Sequence, residues 1–357
     1  MKKQTTASLM ILVFMAFSLS MGTVLVQAQT SPILKVGVSI APLAGIVEAV
    51  GGPYVETFVI LPEGTEPHSA QLPTQAVIDA QSADLMVLTG HFPWEEDLVS
   101  QVSKPFITME NESALVRYRD YGAELLPLPG DENLDNASIQ GNTQNENPHG
   151  WWLLPSNAIA IANATRVAFT ILNATNEDYW QSSFDVFVEH VVAFENLVES
   201  TDNDYHFSDL KAVVVSPAET YVAETFGIDA VAYLQGESVM ISGNQLIAVQ
   251  DAIRNGSVQL IIGSDVAKLQ TSGTFAMQLV EDYGGTLVWV KAISSEGFSD
   301  YISLMTYNLG SLTSGIERNL NSGVASISIL FWIGATGVLA VIVIIESVIL
   351  IQRARAD

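Results

Sequence analysis

Val59-Ile60-Leu61-Pro62-Glu63-Gly64-Thr65-Glu66-Pro67-His68 is an apolar run that reads as the end of a strand, breaks at Pro62 and Gly64, and delivers an imidazole where the backbone has just left a sheet. Upstream, Ile33 to Ile40 reads as a buried strand, Ala41 to Val50 as a short helix ending at Gly51-Gly52-Pro53, and Val55 to Leu61 as a second strand. Strand, helix, strand implies a parallel pair with a right-handed crossover. Downstream, Thr74 to Ala80 reads as a helix and Ala83 to Leu88 as a third strand that ends at Thr89-Gly90-His91. Ligands of open parallel sheets sit beyond the carboxyl ends of the strands, which is where His68 and His91 both fall.

A second Pro-His pair stands far downstream at Pro148-His149, followed by Gly150-Trp151-Trp152. The contexts of His68 and His149 resemble those of the substrate-binding proteins of zinc and manganese ABC transporters, a group that includes zinc-uptake receptors and metal-binding lipoprotein adhesins. In that family a P-x-G-x-x-P-H turn, matched here by Pro62 to His68, and a later P-H-x-W segment, matched by Pro148 to Trp151, each supply a metal-ligating His. A weaker resemblance extends over most of Leu34 to Asn321. It implies an α/β fold of two parallel-sheet lobes joined by a long helix. The first lobe is expected over 31–175, the linking helix over 176–205 and the second lobe over 206–321. Between 130 and 148 the chain is acidic and polar with hardly an apolar side chain, which reads as a mobile loop. A second α/β series is legible in Ala212 to Val215, Ala218 to Phe226, Ala230 to Leu234, Asn244 to Arg254, Gln259 to Ile262, Thr274 to Asp282, Leu287 to Val290 and Ser299 to Glu317.

The resemblance also implies two His ligands from the first lobe, then a His or Glu and an Asp or Glu from the second. Counting back from Phe226-Gly227-Ile228 places the third ligand on Ser216, with Glu219 one turn further on. The fourth falls after the strand Leu287 to Val290, on Lys291, with Glu296 the nearest carboxylate. A cationic Lys beside a divalent ion costs Coulomb energy unless it points away or deprotonates. Replacement donors are His91, Glu219 and Asp265; His91 also reads as a loop His beside Pro93-Trp94, and Asp265 as the cap of a turn. The expected metal set is therefore drawn from His68, His149, His91, Glu219 and Asp265, with Zn²⁺ or Mn²⁺ as the transported ligand and no organic cofactor.

Both ends of the 357-residue chain are apolar. Met1 to Ala28 opens with Lys2-Lys3, continues through an apolar run and closes on Val26-Gln27-Ala28, the pattern of a cleaved signal peptide. Residues 327–351 are long enough to cross a hydrocarbon core of about 30 Å, are interrupted by Glu346, and precede Arg353 and Arg355. That is the pattern of a single transmembrane anchor with the main domain outside the cytoplasm. No cysteine is present, so disulfides, thiolate ligands and a lipid-modified Cys are excluded. With 14 basic against 39 acidic residues, the net charge of −25 opposes binding to nucleic acid. Asn111, Asn136, Asn163, Asn173 and Asn255 lie in glycosylation sequons.

No Walker-type loop, His-Glu-x-x-His run or Gly-x-Ser-x-Gly elbow occurs. The expectation is thus not an enzyme but a monomeric extracytoplasmic receptor, anchored by its C-terminal helix. It would pass metal to a separate ABC permease with a cytoplasmic ATPase subunit. The alternative, favoured by Ser216 and Lys291, is a receptor fold with a degenerate metal site that binds another small solute or a partner protein.

Overall fold

Leu34–Val38 (β1) alternates with Val55–Val59 (β2) and Leu85–Val87 (β3) in a sheet completed by Phe106–Thr108 (β4) and Val116–Arg117 (β5), in the order β2-β1-β3-β4-β5. All of its pairings are parallel. In this computed structural model the described residues are 32–318 except 63, 131–145, 237–238, 294–297 and 299. The expected signal peptide 1–28, the apolar stretch 327–351, most of the loop 130–148 and Glu296 lie outside the described residues. Among the described residues no helix is long and apolar enough to cross a membrane.

The second lobe repeats the plan. Lys211–Val214 (β6), Asp229–Tyr233 (β7), Leu260–Ser264 (β10) and Thr286–Val290 (β11) form a parallel sheet in the order β11-β10-β6-β7. A small antiparallel ribbon of Gln235–Gly236 (β8) and Val239–Met240 (β9) follows β7. Strand periodicity splits the apolar side chains of this sheet between two layers. Val214 and Ile262 face the core shared with the first lobe, whereas Val213, Val215 and Ile261 face a separate core that includes Val249, Ile253, Ala276 and Leu279 of the helices Gly243–Arg254 and Thr271–Tyr283.

The helix Glu177–Tyr205 joins the lobes. Its 29 residues span about 43 Å at 1.5 Å per residue. Its buried face is Trp180, Phe187, Val191, Phe194 and Val198, the three- and four-residue spacing of one helical stripe. Trp180 packs edge-on against Tyr54 and tilted against Phe169 in the first lobe. Further along, Phe187 meets Tyr301 and Phe194 meets Phe226 in the second. One continuous stripe is thus shared between both lobes.

In each sheet the chain reverses its direction of winding beside the first strand, between β1 and β3 in the first lobe and between β6 and β10 in the second. Crevices at such reversals, outside the carboxyl ends of the strands, are where open α/β sheets bind ligands.

Candidate metal centre

Three imidazoles from three separate loops meet between the lobes. His68 follows β2, His91 follows β3, and His149 precedes the turn Trp151–Leu153 and the helix Pro155–Leu172. Their ring centroids are 4.8 Å (His68–His91), 5.2 Å (His68–His149) and 4.4 Å (His91–His149) apart. One nitrogen from each ring lies within 4.8 Å of one from each of the others. Nε2 of His91 and Nε2 of His149 are buried and have no hydrogen-bond partner. A buried polar atom without a partner is costly, and two of them aimed into one small space are what a metal ion would satisfy.

Each histidine backbone is held by a side-chain acceptor. The His68 N–H donates to Glu66 Oε1 (3.1 Å), while the N–H and hydroxyl of Ser69 donate to Glu66 Oε2 (2.7 and 2.6 Å). The indole N–H of Trp94 donates to the Pro67 carbonyl (3.1 Å), tying the same loop to the helix Pro93–Val102. His91 is fixed by Glu95, only 3% exposed, whose carboxylate accepts from the N–H groups of Thr89, Gly90, His91 and Phe92 at 2.8 to 3.3 Å. The His149 N–H donates to Asn147 Oδ1 (3.1 Å), and His149 Nδ1 lies 3.1 Å from the same oxygen.

Burial sets the protonation of the rings. The desolvated environment, with His149 and then His68 as neighbouring positive charges, pushes His91 down to about 3. Desolvation, followed by the charge of His68, pushes His149 down to about 4. Both are therefore neutral at ordinary pH, the state in which an imidazole has a lone pair to give. Burial would raise the Glu66 carboxyl, but the hydrogen bonds from Ser69 and the His68 N–H outweigh it and hold Glu66 below its ordinary value.

The second lobe closes the cavity with neutral groups. Around the histidines, in a space of about 70 Å³, stand Ser216, Gln235, Ser264 and Gln270. No carboxylate joins the three histidines in a close ligand group among the described residues. Glu219 is fully buried at the start of the helix Glu219–Thr225 and turns back on the sheet, accepting from the Ser216 N–H (2.6 Å) and the Ser264 N–H (2.7 Å). Desolvation raises its carboxyl to about 7. It bridges the ends of β6 and β10, as Glu95 clamps the end of β3. Asp265 accepts from the Ala292 N–H (3.1 Å) and lines a larger adjoining cavity of about 450 Å³. Lys291 lines that cavity too and is absent from the wall of the histidine cavity, which Ala292 and Ile293 form instead. Its backbone is paired with Asn308, N–H to Oδ1 at 2.7 Å and carbonyl to Nδ2 at 2.9 Å. Lys291 is thus not a wall residue of the histidine cavity.

Of the sequence-derived candidates, His68, His91 and His149 converge, whereas Glu219 and Asp265 serve backbone N–H groups and do not join them. Glu66, Glu95 and Asn147 escaped the sequence reading. A signal was present for two of them, because Glu66-Pro67-His68 and Asn147-Pro148-His149 repeat an acceptor two residues before the histidine.

Two parallel-sheet lobes on one long helix, with imidazoles gathered between them, define a bilobal solute receptor built for a metal ion. The model of the family described as zinc-uptake complex component A, periplasmic, matches residues 36–315, and the chain belongs to that family. It is accordingly a metal-binding substrate-binding protein of the ABC-transporter type, from a family of solute receptors. Among curated proteins it is 22% identical over 305 residues to the manganese ABC transporter substrate-binding lipoprotein PsaA of Streptococcus pneumoniae, covering 80% of this chain and 89% of that one. It is likewise 22% identical over 296 residues to the iron-binding protein YfeA of Yersinia pestis, covering 82% and 89%. Among solved structures, a crystal structure of ZnuA superposes with a TM-score of 0.63 at 17% identity, covering 79% of this chain and 98% of that one. Streptococcus pneumoniae AdcAII gives 0.62 at 17%, covering 80% and 100%. These superpositions establish the fold.

Proposed function

We propose that this chain is an extracytoplasmic receptor that takes Zn²⁺ onto His68, His91 and His149 and hands it to an ABC permease. The observation that carries the reading is the pair of buried, partnerless Nε2 atoms of His91 and His149 in a cluster with His68. Three imidazoles with one open position make a zinc donor set, the fourth place going to water or a neutral oxygen such as that of Ser216. Imidazole suits zinc, copper, iron and nickel, whereas manganese favours carboxylate and carbonyl oxygens. The relatives are named for manganese and iron; the absence of a carboxylate from the cluster among the described residues is what moves this chain towards zinc.

The cavity of about 70 Å³ has room for an ion and a water, whose share of liquid volume is about 30 Å³. The convergence of three imidazoles on that space favours an ion over the degenerate-receptor alternative. The terminal sequence patterns support export and attachment through residues 327–351, with the ion passed to a permease and ATPase made as separate chains. Competitive equilibrium dialysis tests the metal assignment. Near neutral pH the chain is expected to retain one zinc per molecule in the presence of excess manganese, and His91→Ala to lose it. Stoichiometric retention of manganese over zinc contradicts the reading.

A further inference from the structure

Asn147 is fully buried, and each of its polar groups is engaged. Its N–H donates to the Leu126 carbonyl (2.7 Å), and its own carbonyl accepts from the Tyr221 hydroxyl (2.5 Å). Its side-chain Nδ2 donates to the carbonyl of Pro217 (2.8 Å), and its Oδ1 faces both the N–H and Nδ1 of His149. The chemistry of these partners leaves no freedom. A carbonyl oxygen only accepts, so the amide nitrogen of Asn147 must face Pro217 and the amide oxygen must face His149. An amide oxygen only accepts as well, so Nδ1 of His149 must carry the ring proton. The lone pair of the neutral ring then resides on Nε2, the atom that is buried without a partner in the cavity.

Pro217 and Tyr221 belong to the second lobe, beside Ser216, whereas His149 is reached from the first. The contact is close enough to dictate sequence next door: Gly150 has φ +81°, and a Cβ there would lie 2.6 Å from the Ala218 carbonyl oxygen. We propose that Asn147 is a positioning residue whose Oδ1, turned towards His149 because its Nδ2 donates to the Pro217 carbonyl, fixes the Nδ1–H tautomer of His149 so that Nε2 is presented to the ion. This deepens the metal-receptor reading and rests on it for the affinity arm of the test, but not for the tautomer arm, which is read without metal.

Long-range ¹⁵N–¹H spectra of the full-length, metal-free chain labelled at its five histidines report the tautomer directly. The expected result is a neutral His149 ring protonated at Nδ1; a ring protonated at Nε2 overturns the proposal whatever any variant does. Asn147→Leu removes the acceptor, and Asn147→Asp keeps an acceptor for Nδ1 while losing the donor to Pro217. By calorimetry with zinc, Asn147→Leu is expected to weaken binding about 10- to 100-fold, the usual effect of losing the partner that orients a metal ligand. Asn147→Asp should bind at wild-type affinity or tighter. Unchanged affinity in Asn147→Leu, or equal losses in the two variants, overturns the proposal. A wild-type chain that shows the Nδ1–H tautomer but takes up no zinc refutes the receptor reading instead, so the two failures are distinguishable.

Discussion

At the scale of single residues, His91 and His149 behave unlike surface histidines because their surroundings give nothing back to a proton. In the unfolded chain each titrates near 6.5; in the folded chain they titrate at about 3 and about 4. Between those values the unfolded chain binds more protons, so the metal-free protein loses stability as the pH falls below about 6.5. Glu219 acts with the opposite sign. Its carboxyl, raised to about 7, holds a proton in the folded chain that an unfolded carboxyl has released, so its contribution is present below its ordinary value and fades as pH rises through 7. Comparing wild type with His149→Asn isolates the histidine. The melting temperature of the wild type should fall more steeply than that of the variant between pH 6.5 and pH 4.5, and parallel profiles would contradict the burial argument. What the sequence withheld at this scale was the fate of its carboxylates. Glu219 stands one turn after a ligand position, and nothing local reveals that its oxygens bend back to the N–H groups of Ser216 and Ser264, the second of which is 45 residues away.

At the scale of elements, the strands and helices were legible wherever apolar periodicity was strong. The strand read at Val55 to Leu61 forms as Val55–Val59, and the helix read at Asn244 to Arg254 as Gly243–Arg254. The helix Pro93–Val102 is absent from the sequence reading although Trp94, Leu98 and Val102 recur at helical spacing, because Glu95, Glu96 and Asp97 interrupt the apolar run. Its N-terminal carboxylate Glu95 nonetheless organises the His91 loop, an arrangement that depends on the close approach of β3. The long helix makes the clearest mechanical prediction. Phe194 is 3% exposed and reaches Phe226 in the second lobe with ring centroids 6.4 Å apart. Phe194→Ala should cost about 3 to 5 kcal/mol, the usual range for emptying a buried aromatic site. Urea denaturation checks it, and a loss under about 1 kcal/mol would mean that the stripe does not bear the lobe contact.

At the scale of the whole molecule, the two lobes are bound together by more than the helix. The Trp152 indole N–H donates to the Ala292 carbonyl (2.9 Å) and the Tyr301 hydroxyl to the Leu153 carbonyl (2.8 Å), in addition to the contacts of Asn147 with Pro217 and Tyr221. All four involve the segment that carries His149. Separating the lobes would break these hydrogen bonds and wet the buried rings of Trp152 and Tyr301, so zinc should bind with little change in the angle between lobes. The chain has no cysteine, and spin labels on Gln101→Cys and Gln278→Cys would be unique reporters, one in each lobe. Their mean separation should shift by less than about 2 Å on adding zinc, whereas a larger shift would indicate a hinged receptor.

The central claim is that three imidazoles from three loops hold the ion without a carboxylate. Anomalous diffraction at the zinc edge from crystals of the zinc-loaded protein tests it most directly. The account predicts one peak between the lobes, with a nitrogen of each of His68, His91 and His149 at about 2.0 to 2.1 Å and no carboxylate oxygen bonded to it. A peak bonded to Glu219 or Asp265, or to fewer than all three of these histidines, would contradict it.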